Sequence, residues 1–435
     1  MPAAGAVGGV AILLYLGLEF RNQKPFARRL TLIVLGVGAA SIASLAQPLP
    51  ALIEALRRAA AYAAFFLALG FLRDAAETSR LVRRSGLDLV AQPPGARAAA
   101  LASGAHLFGV ILSYGAIELF GAMLARTLPA TEDEARRQAV MAVYRGFTST
   151  TAWSPLSIGM AVVLAAVPGA DWTGLVPPGF AFALAALALA IWLGRGNGEA
   201  PVQRRHGLDW TAHLRLAGIV LLVFLAAYAV ERLFAVRLVV GVTAVLPLLA
   251  LAWIGLQEAG GPARRLRAVG LRLAGQIRAR IPTYRAEATV LGGAGFAGVA
   301  LAAAFPSALA AAWFADAGLS GIVVLCAIAP MMLLFSQLAL NPIIAVLLLA
   351  AMLPPPELLG VSPTALGLAY LTGWAVSASM TPMSASAIAT ARWASRPGAA
   401  AGAGEVSPYR VTNRWNLGFA AGQILLAWAV LLLAA

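Results

Sequence analysis

Two hydroxyl-rich segments, each built around a proline, carry the side chains best suited to bind a small polar solute. The first holds Thr148, Ser149, Thr150, Thr151, Ser154 and Pro155, and the second holds Ser377, Ser379, Thr381, Pro382, Ser384 and Ser386. Proline lacks a backbone N–H and disfavours a helical residue before it, so a helix carrying either segment should break there. The hydroxyl groups would then satisfy the freed backbone groups or face a bound solute.

The two segments belong to an internal repeat with an offset of 227 positions. Gly146-Phe147, six residues and Ser154-Pro155-Leu156-Ser157 match Gly373-Trp374, six residues and Thr381-Pro382-Met383-Ser384. At the same offset, Ser113-Tyr114-Gly115 aligns with Leu340-Asn341-Pro342. Paired helix breaks in two halves of a membrane protein point to a transporter's solute site. We therefore predict a solute site between residues 148–157 and 377–386, close to Asn341 and Pro342.

Three other side chains are candidates for coupling or charge recognition. Glu118 lies in a long apolar run, and a carboxylate within a membrane is costly, so we predict that it carries a coupling proton. The alternative is a carboxyl group that is permanently protonated or paired with a neighbour. Asn341 would contact solute or cation, or else cap a turn. Arg145 would contact an anion, or else end a cytoplasmic loop and extend its charge to the interface.

The composition assigns nearly the whole chain to a membrane. Hydrophobic residues make up 61% of the 435 positions, charged residues make up 11%, and the mean hydropathy is +0.83. The net charge of +14 comes from short basic clusters between apolar runs, which are typical of cytoplasmic loops rather than of nucleic-acid binding. Cys326 is the only cysteine, which excludes a disulfide and a thiolate metal site.

Apolar runs of roughly the length needed to cross a bilayer recur along the chain. The predicted spans are residues 5–20, 30–46, 51–72, 98–124, 139–166, 178–193, 216–229, 238–256, 288–314, 319–353, 363–391 and 417–435. The run 319–353 is too long for one helix and too short for two full spans, so it predicts a re-entrant hairpin. Loop charge favours a hairpin at 98–124 as well, because 28 of the 32 Lys and Arg then face the cytoplasm.

These patterns predict an all-α polytopic membrane protein of two inverted repeats, with about ten transmembrane helices, two re-entrant hairpins and two broken helices. Scaffold helices would occupy residues 1–97 and 216–314, the latter with a basic cytoplasmic loop at 258–287. Residues 98–194 and 319–435 would each form a hairpin, a broken helix and a closing helix, with a cytoplasmic linker at 195–215. We expect an inner-membrane location with both termini outside.

With its hairpins and its Gly-rich, Ser/Thr-rich, Pro-containing breaks, the chain resembles the ion transporter superfamily of divalent anion-sodium symporters and arsenite-antiporter-like permeases. This resemblance implies an elevator mechanism, in which hairpins and broken helices carry the solute past a stationary scaffold. It also implies a Ser-Asn-Thr signature at each hairpin tip in the symporter branch, of which only Asn341 is present here. Family members are often dimers, so a homodimer is an expectation from the resemblance alone.

The predicted function is a secondary transporter for a small anionic solute, coupled to H⁺ or Na⁺, with efflux of an oxyanion or toxic metabolite as the alternative. Membrane lipid is the other expected partner, and no cofactor is expected beyond Na⁺ as a coupling ion. A different class would be an intramembrane enzyme that uses Ser154 or Ser384 with His106, although no catalytic serine motif is present. A passive channel is the third class.

Overall fold

The computed structural model describes residues 17–23, 25–128, 132–194, 207–304, 316–338, 340–395 and 404–434, with a few single positions before residue 17 and at 312 and 314. Throughout these residues the regular structure is helical, without a β-strand. Large apolar side chains on the long helices are exposed, among them Leu221, Leu248 and Leu425. Such surfaces are expected where lipid replaces water, and the predicted all-α polytopic membrane fold is confirmed.

Seventeen helices in the described residues make up the fold. In chain order they are α1 (Pro25–Ala43), α2 (Pro48–Glu77), α3 (Arg80–Val90), α4 (Pro94–Leu112), α5 (Gly115–Thr127), α6 (Asp133–Ser149), α7 (Ile158–Ala166), α8 (Trp172–Leu193), α9 (Trp210–Phe234), α10 (Leu238–Gln257), α11 (Pro262–Gly275), α12 (Arg285–Ala304), α13 (Gly321–Gln337), α14 (Pro342–Met352), α15 (Pro363–Met380), α16 (Ala385–Ala394) and α17 (Leu417–Ala434). A short helical turn, Pro408–Arg410, precedes α17.

Both predicted hairpins are pairs of helices joined by a short turn. In hairpin 1, α4 and α5 are separated only by Ser113 and Tyr114. In hairpin 2, α13 and α14 are separated by residues 338–341. Ser113 has a φ of 53°, which is a backbone conformation that glycine adopts more readily. The two turns thus fall at the repeat-related tripeptides that the sequence aligned.

The repeat is visible in where helices begin. Gly115 begins α5 and Pro342 begins α14, 227 positions later, and the same offset separates Ile158 of α7 from Ala385 of α16. Contacts between the halves are reciprocal. Helix α5 packs on α16, and its repeat-related counterpart α14 packs on α7. Likewise, α6 packs on α16, and its counterpart α15 packs on α7. Reciprocal contacts of this kind are the mark of an approximate two-fold relation between the halves.

The helices before each hairpin pack largely on one another. Helix α2 packs closely on α10 and α12, and α12 packs on α1. The helices of the hairpins, the broken helices α6–α7 and α15–α16, and the closing helices α8 and α17 form the other dense set of contacts. The division into scaffold and transport parts stays a prediction, and some contacts cross it, because α3 packs on α4 and α5, and α12 packs on α14.

Several predicted boundaries are wrong because helices continue where charge suggested loops. Helix α2 runs to Glu77, so Arg73 lies in a helix and not in the loop predicted from residue 73. The amphipathic helices α3 and α11 occupy parts of two predicted cytoplasmic loops. Among the described helices, six are long and apolar enough to cross a membrane: α2, α4, α8, α9, α10 and α17. Of the predicted span 5–20, residues 7, 10, 11, 14, 15 and 17–20 are described and helical, and the others lie outside the described residues.

Candidate functional site

A cavity of about 240 Å³ lies where the two hairpin tips meet the two helix breaks. Ser113 and Tyr114 reach it from the first tip, and Asn341 and Pro342 reach it from the second. The remaining walls come from α2, from both broken helices and from the last turns of α4. The structure therefore brings together four segments that are far apart in the sequence and related in pairs by the repeat.

About half of the predicted solute-binding residues line this cavity. They are Thr150, Thr151, Ser154, Asn341, Pro342, Thr381 and Ser384, and the related Ser386 joins them. Thr148, Ser149, Pro155, Ser377, Ser379 and Pro382 belong to the same breaks but are not among the lining residues. Thr148, Ser149, Ser377 and Ser379 are fully buried, so they shape the breaks from behind the cavity wall.

The hydroxyl groups of the first break bond to the backbone of their own helix. Ser149 Oγ donates to the carbonyl of Gly146 at 2.7 Å, Thr150 Oγ1 donates to that of Phe147 at 2.7 Å, and Thr151 Oγ1 donates to that of Thr148 at 2.8 Å. Back-bonding of this kind loosens the end of a helix. Of these three residues, Thr150 and Thr151 line the cavity, and their hydroxyl protons are engaged by the backbone.

At the second break, side chains from other segments donate hydrogen bonds to the backbone carbonyls. The last carbonyls of α15 have no partner within the helix and accept instead from three donors. Tyr144 Oη donates to the carbonyl of Ala378 at 3.1 Å, Asn416 Nδ2 to that of Ser379 at 2.8 Å, and Gln337 Nε2 to that of Met380 at 2.9 Å. These three donors were not predicted, because nothing in the local sequence indicates which carbonyl they reach.

Each second half-helix begins at the cavity with a side-chain cap. Ser157 Oγ accepts from Met160 N at 3.1 Å, and Ser384 Oγ accepts from Ala387 N at 3.1 Å, at repeat-related positions. Asn341 Oδ1 accepts from Ile343 N at 2.9 Å. The side-chain oxygen of Asn341 therefore caps the turn, as one of the two predicted roles for this residue stated. Asn341 also lines the cavity, and the two interpretations are compatible.

Glu118 lies outside the cavity lining, on the face of α5 that meets α16. Its carboxylate forms an ion pair with Arg392 and accepts a hydrogen bond from Trp393 Nε1 at 2.9 Å. Of the alternatives weighed for this residue, the structure shows the paired carboxylate. Its proposed role in coupling stays a prediction, now with Arg392 as the group that a proton would displace.

Arg145 and His106 are engaged with protein groups. Arg145 donates to Asn416 Oδ1 at 3.0 Å and to the carbonyl of Trp415 at 2.6 Å, and it is not among the lining residues. His106 Nε2 accepts from Trp153 Nε1 at 3.1 Å, while Nδ1 lies 2.8 Å from Ser149 Oγ. Because Ser149 donates its own proton to Gly146, this network assigns the imidazole proton to Nδ1. His106 thus contacts neither Ser154 nor Ser384.

Arg73 is the lining residue that the sequence analysis missed. It lies on α2 and is the only charged residue among those that line the cavity in the described part of the chain. Aromatic rings from Phe66, Phe147 and Trp374 also contribute to the walls. Phe147 and Trp374 are the aromatic residues of the repeated Gly-aromatic pairs, so the repeat marked them in the sequence. Arg73 lies outside the repeated motifs and was counted among the basic residues of a predicted loop.

No protein-family model matches the chain, and no curated protein matches it in sequence. Solved structures do match. The YdaH transporter of Alcanivorax borkumensis aligns with a TM-score of 0.53 and 14% identity, over 98% of this chain and 97% of that one. MtrF of Neisseria gonorrhoeae, described as illuminating a class of antimetabolite efflux pumps, aligns with a TM-score of 0.50 and 12% identity, over 99% and 94%. Over nearly its whole length, this chain has the fold of these two membrane proteins.

Proposed function

We propose that the protein is a secondary active transporter that moves a small anionic solute across the inner membrane through the cavity between the hairpin tips and the helix breaks. The observation that carries this proposal is the meeting of two tips and two breaks around one cavity. Irregular backbone is tolerated at membrane depth only where protein buries it or where it lines a cavity. A repeat-related pair of such places is the usual construction of a site with alternating access.

The anionic character of the solute is supported by how the helix ends are satisfied. The carbonyls that end α15 already accept from protein donors, whereas the N-terminal turns of α5, α7, α14 and α16 begin beside the cavity. Side chains cap one first-turn N–H group in each of α7, α14 and α16, and the partial positive charge of all four helix N-termini favours an anion. No Asp or Glu is among the lining residues in the described part of the chain. A cation alone would meet little compensating charge there.

The transport mechanism, the coupling ion and the oligomeric state are the finer features of the proposal. The resemblance to the ion transporter superfamily and the packing of the helices into two groups both favour an elevator mechanism. The solved neighbours support a transporter in general and do not single out that superfamily. Coupling to H⁺ would use Glu118, coupling to Na⁺ would use Asn341 and the Ser/Thr segments, and a homodimer remains part of the proposal.

Efflux is a second candidate direction for the same site. The printed description of MtrF names antimetabolite efflux pumps, and that protein shares this fold over almost its full length. An export role needs no different cavity, because the direction follows from the coupling. Neither an intramembrane enzyme nor a channel is favoured, since His106 is bonded to Ser149 and Trp153 and a channel needs no symmetry-related breaks.

A cavity-filling variant tests the proposed site. Ala378 lines the cavity, and Ala378→Leu would fill part of its volume. Purified protein would first be screened by thermal shift against carboxylates, sulfonates, oxyanions and neutral metabolites, with and without sodium. For each anion that stabilises the wild type, we expect Ala378→Leu to bind at least about tenfold more weakly, a loss of about 1.4 kcal/mol.

The matched control is Ala229→Leu, which makes the same change at an exposed position on α9. It should bind and transport as the wild type does, in detergent and in proteoliposomes. If Ala378→Leu folds and still binds and transports the anion with unchanged affinity, the solute does not use this cavity and the proposal is wrong.

A further inference from the structure

Within the part of the chain that the structure describes, Arg73 is a buried cation without a counter-ion. It is only 6% exposed, and no described residue is a hydrogen-bond partner of its Nε atom. No carboxylate within the described residues lies close enough to its guanidinium group to form an ion pair. An unpaired charge buried within a membrane protein is energetically unfavourable, so such residues are rare and tend to serve function.

The two nearest acidic residues in the sequence are held by other arginines. Asp74 lies 3.7 Å from an Nη atom of Arg272 and 3.6 Å from Nε of Arg280. Glu77, one helical turn after Arg73, accepts from Arg280 at 3.0 Å. The carboxylates of Asp74 and Glu77 therefore pair with the basic segment around α11. Neither of them neutralises the positive charge of Arg73 on the cavity side of α2.

The surroundings of Arg73 orient it between two aromatic rings. Its Cζ atom lies 4.8 Å from the ring centroid of Tyr114 at the first hairpin tip and 5.8 Å from that of Tyr284. Tyr284 is itself fixed by Phe66, whose ring lies edge-on at 5.6 Å. Cation–π contacts of this kind stabilise the side chain without using up its N–H donors. The guanidinium group is thus positioned, and its donors remain available.

We propose that Arg73 is the counter-charge for the transported solute, and that it recognises a carboxylate or a similar planar oxyanion group. A guanidinium group presents N–H donors in a fork that matches the two oxygens of a carboxylate. Helix α5 begins at the first hairpin tip, and the partial positive charge of its N-terminus adds to that of Arg73. This inference rests on the proposed function, and it names the chemical group that the solute must carry.

The test compares carboxylates with their carboxamides, which have nearly the same shape and no charge. The probes are hexanoate with hexanamide and benzoate with benzamide, measured by thermal shift and calorimetry on the full-length protein. The wild type should bind at least one carboxylate tenfold or more tightly than its amide. Arg73→Gln should abolish this preference, and Arg73→Lys, which keeps the charge without the fork, should retain part of it.

Arg126→Gln is the control, because it removes the same charge from an exposed position on hairpin 1 and should leave the preference intact. Size-exclusion profiles identify variants that do not fold. If Arg73→Gln does not fold, the test is made with Arg73→Lys. A wild type without the preference overturns the inference, and so does a folded Arg73 variant that binds as the wild type does. If Ala378→Leu still weakens binding in that case, the proposed function stands and only the role of Arg73 is lost.

Discussion

At the scale of single residues, Glu118 shows how a paired carboxylate can still be a coupling site. Its partners Arg392 and Trp393 belong to the end of α16, while Glu118 belongs to hairpin 1. The side chains of the pair are 36% and 62% exposed for Glu118 and Arg392, so the pair contributes about 0–1 kcal/mol to stability. Protonation of Glu118 would release Arg392 and loosen one contact between hairpin 1 and the second broken helix.

Glu118→Gln and Arg392→Gln separate the two roles of this pair. Both variants break the ion pair, but only Glu118→Gln removes the group that titrates. If Glu118 carries the coupling proton, accumulation driven by a pH gradient in proteoliposomes should disappear in Glu118→Gln alone, while solute binding persists in both. If the Glu118→Gln protein still accumulates solute in response to a pH gradient, Glu118 does not carry the coupling proton, and coupling to sodium becomes the preferred hypothesis.

Residue identities in the cavity were predictable only where the repeat marked them. Asn341, Thr381 and Ser384 were found because their segments recur at a fixed offset. Arg73 has no such mark, and its burial follows from the length of α2, which continues past the point where charge suggested a loop. The hydroxyl groups that face away from the cavity could not be distinguished either, since which side of a break they occupy depends on packing.

At the scale of elements, Gly146 shows a packing demand that its repeat partner lacks. A Cβ atom on Gly146 would lie 2.1 Å from the backbone carbonyl oxygen of Ala102, so α6 and α4 touch backbone to backbone. At Gly373 the nearest atom would be the sulfur of Met332 at 2.8 Å, which is the flexible part of a side chain. The two glycines occupy equivalent places, but at Gly373 the nearest backbone atom, Cα of Ala329, would lie at 3.4 Å, which is an ordinary contact distance.

The pair Gly146→Ala and Gly373→Ala should therefore differ in stability. We expect Gly146→Ala to lose about 1–3 kcal/mol because backbone must shift, and Gly373→Ala to lose less because Met332 can rotate. Thermal unfolding followed by fluorescence-detected size exclusion measures both. Equal losses would show that the close approach of α4 and α6 is not a constraint in the protein.

Element boundaries were well predicted where prolines and glycines interrupt apolar runs, as at both hairpin turns and both breaks. They were poorly predicted in the basic regions, where α3 and α11 are helical because their apolar residues fall on one face. Charge alone does not separate a loop from an amphipathic helix. The sequence therefore predicted the positions of the hairpin turns and helix breaks better than it predicted the structure of the segments that connect the membrane helices.

At the scale of the whole molecule, the membrane topology follows from both hairpins returning to the side from which they start. Helix α4 is long enough to cross a bilayer by itself, while α5 with 13 residues is not. The fold is therefore compatible with a hairpin of unequal arms. The reciprocal packing of the two halves favours the hairpin, because it requires the second half to repeat the first.

Cysteine accessibility tests this topology directly. In a Cys326→Ala background, single cysteines at Arg97 and Arg126 should be labelled from one side, and single cysteines at Ser320 and Glu357 from the other. The prediction is that a membrane-impermeant maleimide reacts with one pair in intact cells and with the other only in inverted vesicles. Labels at Arg97 and Arg126 that report opposite faces would contradict the hairpin.

The arrangement of charges beside the cavity also implies a built-in competitor for the solute. Arg73 and Glu77 stand four residues apart on α2, a spacing at which opposite charges on a helix readily pair. In the structure Arg280 holds Glu77 instead. Loss of the Arg280 contact would free the carboxylate of Glu77 to pair with Arg73 and neutralise it. The protein would then be self-blocked, with its own side chain occupying the place of the transported anion.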